Sequence, residues 1–448
     1  MEVHIMEIKL SDHFGYGRLI RFVLPSVLMM LFSSMYTMVD GFFVSNYVGK
    51  TAFAAVNLVM PFAMGVSVIG FMLGTGGSAV VSKTLGEGRR EDANKYFSMF
   101  VYVALALGTI FGILSITFMP QVVSLLGGEG ELYDYGVLYG RVMMISTPGF
   151  MLQLMFQSFF VVAEKPRLSL GITLTAGIAN MVLDWLLVGV LGMGITGAAM
   201  ATVVSEFTGG LVPVAYFFTK NSSLLRLVRC RIYTGVLMQA CGNGASEMVT
   251  QLSTSIVNIV YNFQLMRIVG EDGVSAYGVI MYVNFAFMAV LLGYSVGSAP
   301  IVGYHYGAQN RDELKNMFRK GITFMAASGM IVTAVAEIFA GKVVGIFAGY
   351  DAELCAMTVH GFRIYALAFL VMGTNVWASS FFTALSNGRV SAIISFARTF
   401  VFQIIMVIAL PVMFGLNGIW ASIVVAEALA LIISITKLVK NGRKYGYL

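Results

Sequence analysis

About a dozen apolar runs, each roughly as long as the 20 residues an α-helix needs to cross a bilayer's hydrocarbon core or longer, divide this 448-residue chain. They fall at 19–48, 52–81, 96–119, 132–162, 168–190, 195–219, 233–263, 274–303, 318–338, 354–384, 390–411 and 417–438. Hydrophobic residues make up 58% of the chain and charged residues 11%, against about 25% charged in an ordinary soluble domain. The expected solvent is therefore lipid. No signal or transit pattern precedes the first run, and the short polar amino-terminal stretch is expected to stay on the protein.

Residues 76–97 recur loosely at 297–318, a shift of 221. The same shift pairs Gly49 with Gly270, Ala55 with Ala276, Gly86 with Gly307, Arg90 with Arg311, Phe97 with Phe318, Phe160 with Phe381, Gly194 with Gly415, Gly197 with Gly418 and Glu206 with Glu427. One constant offset over so many pairs reads as an internal duplication, with six spans in each copy. The implied fold is an all-α integral membrane protein of twelve transmembrane helices in two pseudo-twofold six-helix bundles. The charge-dense stretch 220–231 divides an amino-terminal lobe, 1–219, from a carboxy-terminal lobe, 232–448. Related halves that face each other leave a cleft, and transporters commonly put their substrate sites there.

Lys and Arg are strongly one-sided. The loops around residues 83–95, 165–167, 220–231, 311–320 and 437–444, with Lys9, Arg18, Arg21 and Arg389, lie on one side; Lys50, Arg267 and Lys342 lie on the other. Basic loops are retained in the cytoplasm, so both termini are expected there, in the cell membrane. The net charge of +6 then reads as topology and contact with anionic lipid, not as a nucleic-acid surface. Cys230, Cys241 and Cys355 form no C-x-x-C pair, and the four histidines show no metal-ligand spacing. A phosphate-binding G-x-x-x-x-G-K-[ST] loop and a D-D-x-x-D magnesium motif are both missing, so neither ATP hydrolysis nor prenyl-transfer enzymology is supported. No cofactor is expected.

Carboxylates at mid-membrane cost about 2.5–3.5 kcal/mol each on insertion scales, so those inside spans are the functional candidates. They are Asp40, Asp184, Glu206, Glu247, Glu337 and Glu427. Counted along their helices at 1.5 Å per residue, Asp40, Tyr139, Asp184 and Thr202 share one layer roughly 10–12 Å below the outer surface, with Asn180 one turn from Asp184. Converging faces would make an oxygen cage for a proton or a small hard cation. The 221 shift takes Asp40 to Tyr261, Asn180 to Val401, Asp184 to Ile405 and Thr202 to Ile423, so only the first lobe keeps these groups.

At these residues the chain resembles the multidrug and toxic compound extrusion (MATE) family, over essentially its whole length. The resemblance rests on Val39-Asp40-Gly41, Tyr139-x-Arg141, Asn180-x-x-x-Asp184, Gly194-Ile-Thr-Gly197 with Thr202, and the Glu164-Lys-Pro166 turn. It implies two bundles around a central V-shaped cavity, and export of drugs, dyes and other small amphipathic organic compounds against inward H⁺ or Na⁺. It also implies a coupling site at Asp40, Asn180, Asp184 and Thr202, with Tyr139 as hydrogen-bonding neighbour and Pro25 where the first helix bends. NorM-like members carry acidic residues in spans seven and ten; here span ten has none between Phe362 and Ala384. The pattern is closer to DinF-like and MepA-like relatives, with Glu247 as a candidate second-lobe site.

Other readings complete the expectations. Glu206 and Glu427, equivalent in the two halves, read as packing residues. Glu337, Arg141 and Arg363 read as interfacial. Tyr36 and Met38, with Gln153 and Gln157 of span four, would suit an adaptable substrate pocket. The chain is expected to act as a monomer by alternating access, ion entry at Asp40 and Asp184 displacing a cationic substrate. The alternative is a flippase for lipid-linked precursors with the same fold.

Overall fold

The computed structural model describes residues 8–348 and 351–448, apart from the side chains of residues 36–39, 41 and 346–348. Fourteen helices follow one another: α1 (Tyr16–Phe43), α2 (Lys50–Gly86), α3 (Arg90–Leu125), α4 (Gly130–Met143), α5 (Thr147–Val162), α6 (Pro166–Leu183), α7 (Gly194–Phe218), α8 (Thr234–Ile268), α9 (Glu271–Gly307), α10 (Arg311–Ala348), α11 (Ala352–Ala366), α12 (Phe369–Ala384), α13 (Gly388–Phe396) and α14 (Phe402–Tyr445). Among the described residues they make twelve spans. A 3₁₀ turn, Met144–Ser146, joins α4 to α5 as one span, and α11 and α12 are one span bent by 48°. The last stretch is a hairpin: Gly415 (φ 56°, ψ −135°) breaks α14, and the Ser422 hydroxyl beyond the break reaches back to the Met406 carbonyl at 3.0 Å.

One span differs from the apolar expectation. Among the described residues α8 is too polar to qualify as a membrane helix by hydropathy. It crosses nonetheless because its polarity is one-sided: Leu252, Ile256, Ile259 and Phe263 form an exposed apolar stripe, whereas Asn243, Ser246 and Ser253 are buried against the protein. Such a helix is amphipathic with its polar face inward.

The duplication is written in the backbone. Positive φ angles recur at Gly49 and Gly270, Gly88 and Gln309, and Gly194 and Gly415, each pair 221 apart. The offset is not constant, however. It is 222 at Glu164 and Ser386, and the flanking helix ends Val162/Ala384 and starts Pro166/Gly388 agree. Before this turn the second copy is one residue longer. The offset is 221 again at Gly194 and Gly415, and in the span between, both copies carry a π-helical segment, Asp184–Val190 in the first and Ala397–Val401 in the second.

The copies meet along α1, α2, α8 and α9, at the end of the bundle that carries the basic loops. Two backbone approaches there are reciprocal. A Cβ on Gly86 would lie 2.0 Å from the Tyr304 carbonyl oxygen, and a Cβ on Gly307 would lie 2.0 Å from that of Lys83, the same contact carried into the other copy. Only hydrogen on both residues lets the helix ends close this far. Val23 and Val27 of α1 touch Gly297 and Gly293 of α9 in the same half. Toward the opposite end Met35, Met64, Tyr282 and Phe285 are exposed, as the arms of the V diverge.

Residues 8–15 strap this closed end. The Leu10 N–H donates to Glu164 Oε1 of the first lobe at 2.5 Å. Four residues on, the Phe14 N–H donates to Glu313 Oε1 of α10 at 3.0 Å, and His13 Nδ1 lies 2.7 Å from Glu313 Oε2. Asn316 Nδ2 (3.0 Å) and the Lys320 ammonium both donate to the Phe14 carbonyl. Leu10 and Phe14 are fully buried in a core formed mostly by the second lobe.

Candidate functional site

Asp40 ends its polar burial near the last turns of α1, Tyr139 comes from α4, Asp184 opens the π-helical segment after α6, and Glu206 sits on α7. All four are buried, Tyr139 and Asp184 completely. The carboxyls of Asp40 and Asp184 are close enough to interact directly, and Asp40, Asp184 and Glu206 all act electrostatically on the Tyr139 hydroxyl. Asp40 Oδ1, both Asp184 oxygens and Tyr139 Oη find no hydrogen-bond partner among the described residues. Among the described residues no Lys, Arg or His pairs with any of the three acids. Buried oxygens are almost always satisfied. Two facing carboxyls without a donor between them call for a shared proton or a cation. The described residues hold no group of three His, Cys, Asp or Glu close enough to grip a metal ion alone, so a captured cation would lean on neutral oxygens or water as well.

Glu206, read from the sequence as a packing residue, stands in this cluster. The Ser146 hydroxyl, in the 3₁₀ turn that interrupts span four, donates to Glu206 Oε2 at 2.5 Å. The other predicted residues are spread around it. Asn180 is buried one turn before Asp184. Thr202 is half-buried, and its hydroxyl donates to the Ala198 carbonyl of its own helix at 3.2 Å rather than to a carboxylate. Gln153 packs inside the first lobe against Gly209 of α7, and Gln157 is buried on the same helix. The side chains of Tyr36 and Met38 lie outside the described residues. Pro25 is buried within α1, which runs unbroken from Tyr16 to Phe43.

The second lobe carries a different set of charges. Glu427, the copy of Glu206, lies 3.2 Å from Arg398 Nε, and Asn375 Nδ2 donates to Glu427 Oε2 at 2.8 Å. Under the local offset of 222, Asn375 is the copy of Gln153. Glu247, on α8, is half-buried and lines a narrow crevice between the lobes. Hydroxyls ring the same space: Thr75 and Ser78 of α2, Ser158 of α5, Ser295 of α9, and Ser380 and Thr383 of α12.

Two buried acid clusters in duplicated bundles, with a cavity between them, are the anatomy of a secondary transporter. The MatE family pattern matches residues 25–186 and, a second time, residues 247–409. The chain belongs to the MatE family. Its members are transporters, not enzymes. The chain is 24% identical over 416 residues to the multidrug export protein MepA of Staphylococcus haemolyticus, covering 92% of this chain and 90% of that protein. A crystal structure of MATE in complex with MaL6 superposes with a TM-score of 0.90 at 22% identity, over 96% of this chain and 97% of that one. An outward-facing multidrug resistance MATE family transporter gives 0.86 at 22% identity, over 96% of each. At that identity the structures show the MatE fold alone.

Within this MatE chain, Arg398 is what sequence reasoning missed. It stands in the apolar run 390–411 with no charged neighbour in sequence, and a lone arginine inside a span was the signal that could have found it. The polar α8 and the Ser146 turn were not legible in the same way, because their partners come from distant helices.

Proposed function

We propose that this protein is a secondary active antiporter that exports small amphipathic or cationic organic compounds, drugs among them, in exchange for H⁺ or Na⁺. The observation that carries the reading is the buried Asp40–Asp184 pair: among the described residues Asp40 Oδ1 and both Asp184 oxygens have no donor, and neither carboxyl has a basic partner. The similarity to a protein named as a multidrug exporter supports the substrate class. With the basic loops in the cytoplasm and both termini on that side, the closed seam faces inward and the V opens outward. In that state an ion arriving from outside would reach the first-lobe acids, and a cationic substrate held by the same charges would lose its counter-charge and leave. Each charge moving down the membrane potential supplies about 2.3 kcal/mol per 100 mV. In this reading the stretch 220–231 separates the lobes, the working unit is one chain in the cell membrane, and nucleic acid plays no part.

The test is dye efflux from proteoliposomes with a proton or a sodium gradient imposed separately. Asp40→Asn and Asp184→Asn are expected to fold and insert but to lose gradient-driven efflux. Full efflux from both variants would sink the proposal, and turnover of lipid-linked precursors in place of dye would favour the flippase.

A further inference from the structure

The two lobes solve the same electrostatic problem in different ways. In the first, Asp40, Asp184 and Glu206 share a buried site without a basic group among the described residues. In the second, Arg398 is buried beside Glu427 and within electrostatic reach of Glu247. Arg398 lies in a π-helical segment, Ala397–Val401, between α13 and α14. It sits about ten residues, roughly 15 Å, from the start of α13, well inside the membrane. A guanidinium at that depth costs several kcal/mol unless it is paired, so its retention calls for a role.

The groups around it come from every neighbouring helix. Glu427 contributes the direct ion pair and Asn375 holds the same carboxylate by hydrogen bond. Tyr365 of α11 is within electrostatic reach of both members of the pair, while Tyr261 of α8 faces Glu427 with Tyr277 of α9 stacked on it. One guanidinium against two carboxylates leaves one negative charge, and of the two it is Glu247 that faces the interlobe cavity. Glu427 is fully buried and has its cation covalently supplied.

We propose that Arg398 is the second lobe's built-in counter-cation: it holds Glu427 ionised through the whole cycle, so that this carboxylate captures no transported ion. The duplicated acid, Glu206 in one copy and Glu427 in the other, is thereby released from ion exchange in the second lobe. Arg398 is a positioning residue in this scheme, acting through Glu427. The inference extends the antiport reading, since it says which lobe does the exchanging.

Infrared difference spectroscopy of the purified full-length protein in lipid nanodiscs, titrated across the neutral range, tests this without any transport step. Subtracting Glu427→Gln from the parent is expected to reveal carboxylate bands and no protonated-carboxyl band. Arg398→Gln should gain one titrating buried carboxyl per protein, and Arg398→Lys should restore the parental spectrum. A role limited to fastening helices does not require that gain to be reversed by lysine. If either single variant does not fold, the pair Arg398→Met/Glu427→Leu supplies the same subtraction with both charges removed. A protonated-carboxyl band from Glu427 in the parent, or a Glu427 carboxylate band that changes when ion or substrate is added, overturns the proposal. Failure of the first-lobe exchange would show instead in the efflux of the Asp40 and Asp184 variants, leaving these spectra as they are.

Discussion

Replacing Gly86 by alanine puts one methyl group into the seam where the lobes touch. Its carbon would lie 2.0 Å from the Tyr304 carbonyl oxygen and 2.9 Å from the Ala308 nitrogen. Ordinary contacts need about 3.5 Å, so the ends of α2 and α9 must part by roughly 1 Å or more. Both obstacles are backbone atoms within or beside a helix end, and neither can turn aside as a side chain could. Overpacking of this kind costs about 1–3 kcal/mol, and here the cost falls on the closed seam while the open one escapes it. The ratio of open to closed should therefore rise about 5- to 150-fold. Cys241 reports on this, because it is half-buried beside Ala240, whose carbonyl packs against Gly76 of α2 in the same seam. In a Cys230→Ser background, a membrane-impermeant thiol reagent on the basic side should label Cys241 faster in Gly86→Ala by that factor, with Cys355, near the start of α11 at the opposite end and labelled from that side, as the unchanged control. Gly307→Ala should do the same. The double variant should add little, since a seam already parted for one methyl admits the second. Unchanged labelling in both single variants, with the protein folded, would refute the claim that this contact holds the end shut.

Three further outcomes are expected. Glu313→Ala removes the acceptor for the Phe14 N–H and for His13, costing about 1–3 kcal/mol; limited proteolysis within residues 8–15 should accelerate while the helices stay protected. Gly415→Ala forces a side chain into φ 56°, ψ −135°, a strain of about 1–3 kcal/mol, which a lowered thermal midpoint with intact helicity would register. Glu206→Gln can still accept from Ser146, so it should fold; losing one negative charge near Asp40 is worth about 1 kcal/mol or more at intermediate dielectric, so the ion concentration giving half-maximal efflux should rise severalfold without abolishing transport.

The span lengths, the duplication and the one-sided basic loops were legible because each depends on local sequence. The first-lobe acids were legible for the same reason: a carboxylate in an apolar run stands out whatever its neighbours. The partner of the Thr202 hydroxyl was not legible, since depth along a helix does not say where a hydroxyl points, and in a span the carbonyl four residues earlier competes for its proton. The surroundings of Glu206 were not legible. Its equivalence to Glu427 suggested a common packing role, yet one copy faces two aspartates and the other an arginine. The drift of the repeat offset from 221 to 222 was invisible without the turn at Glu164 and Ser386, and it is what aligns Asn375 with Gln153.

The strap across the basic end sets a mechanical limit. Leu10 is tied to one lobe and Phe14 to the other, and the four residue steps from one anchor to the other reach about 14 Å when stretched taut. A mouth that gapes beyond that leash must first let one knot slip. Glu313, Asn316 and Lys320 together grip the second-lobe side, and both Leu10 and Phe14 are buried in a core formed mostly by that lobe. The leash should come loose from Glu164 and travel with the second bundle, so that unlatching precedes any admission from that side.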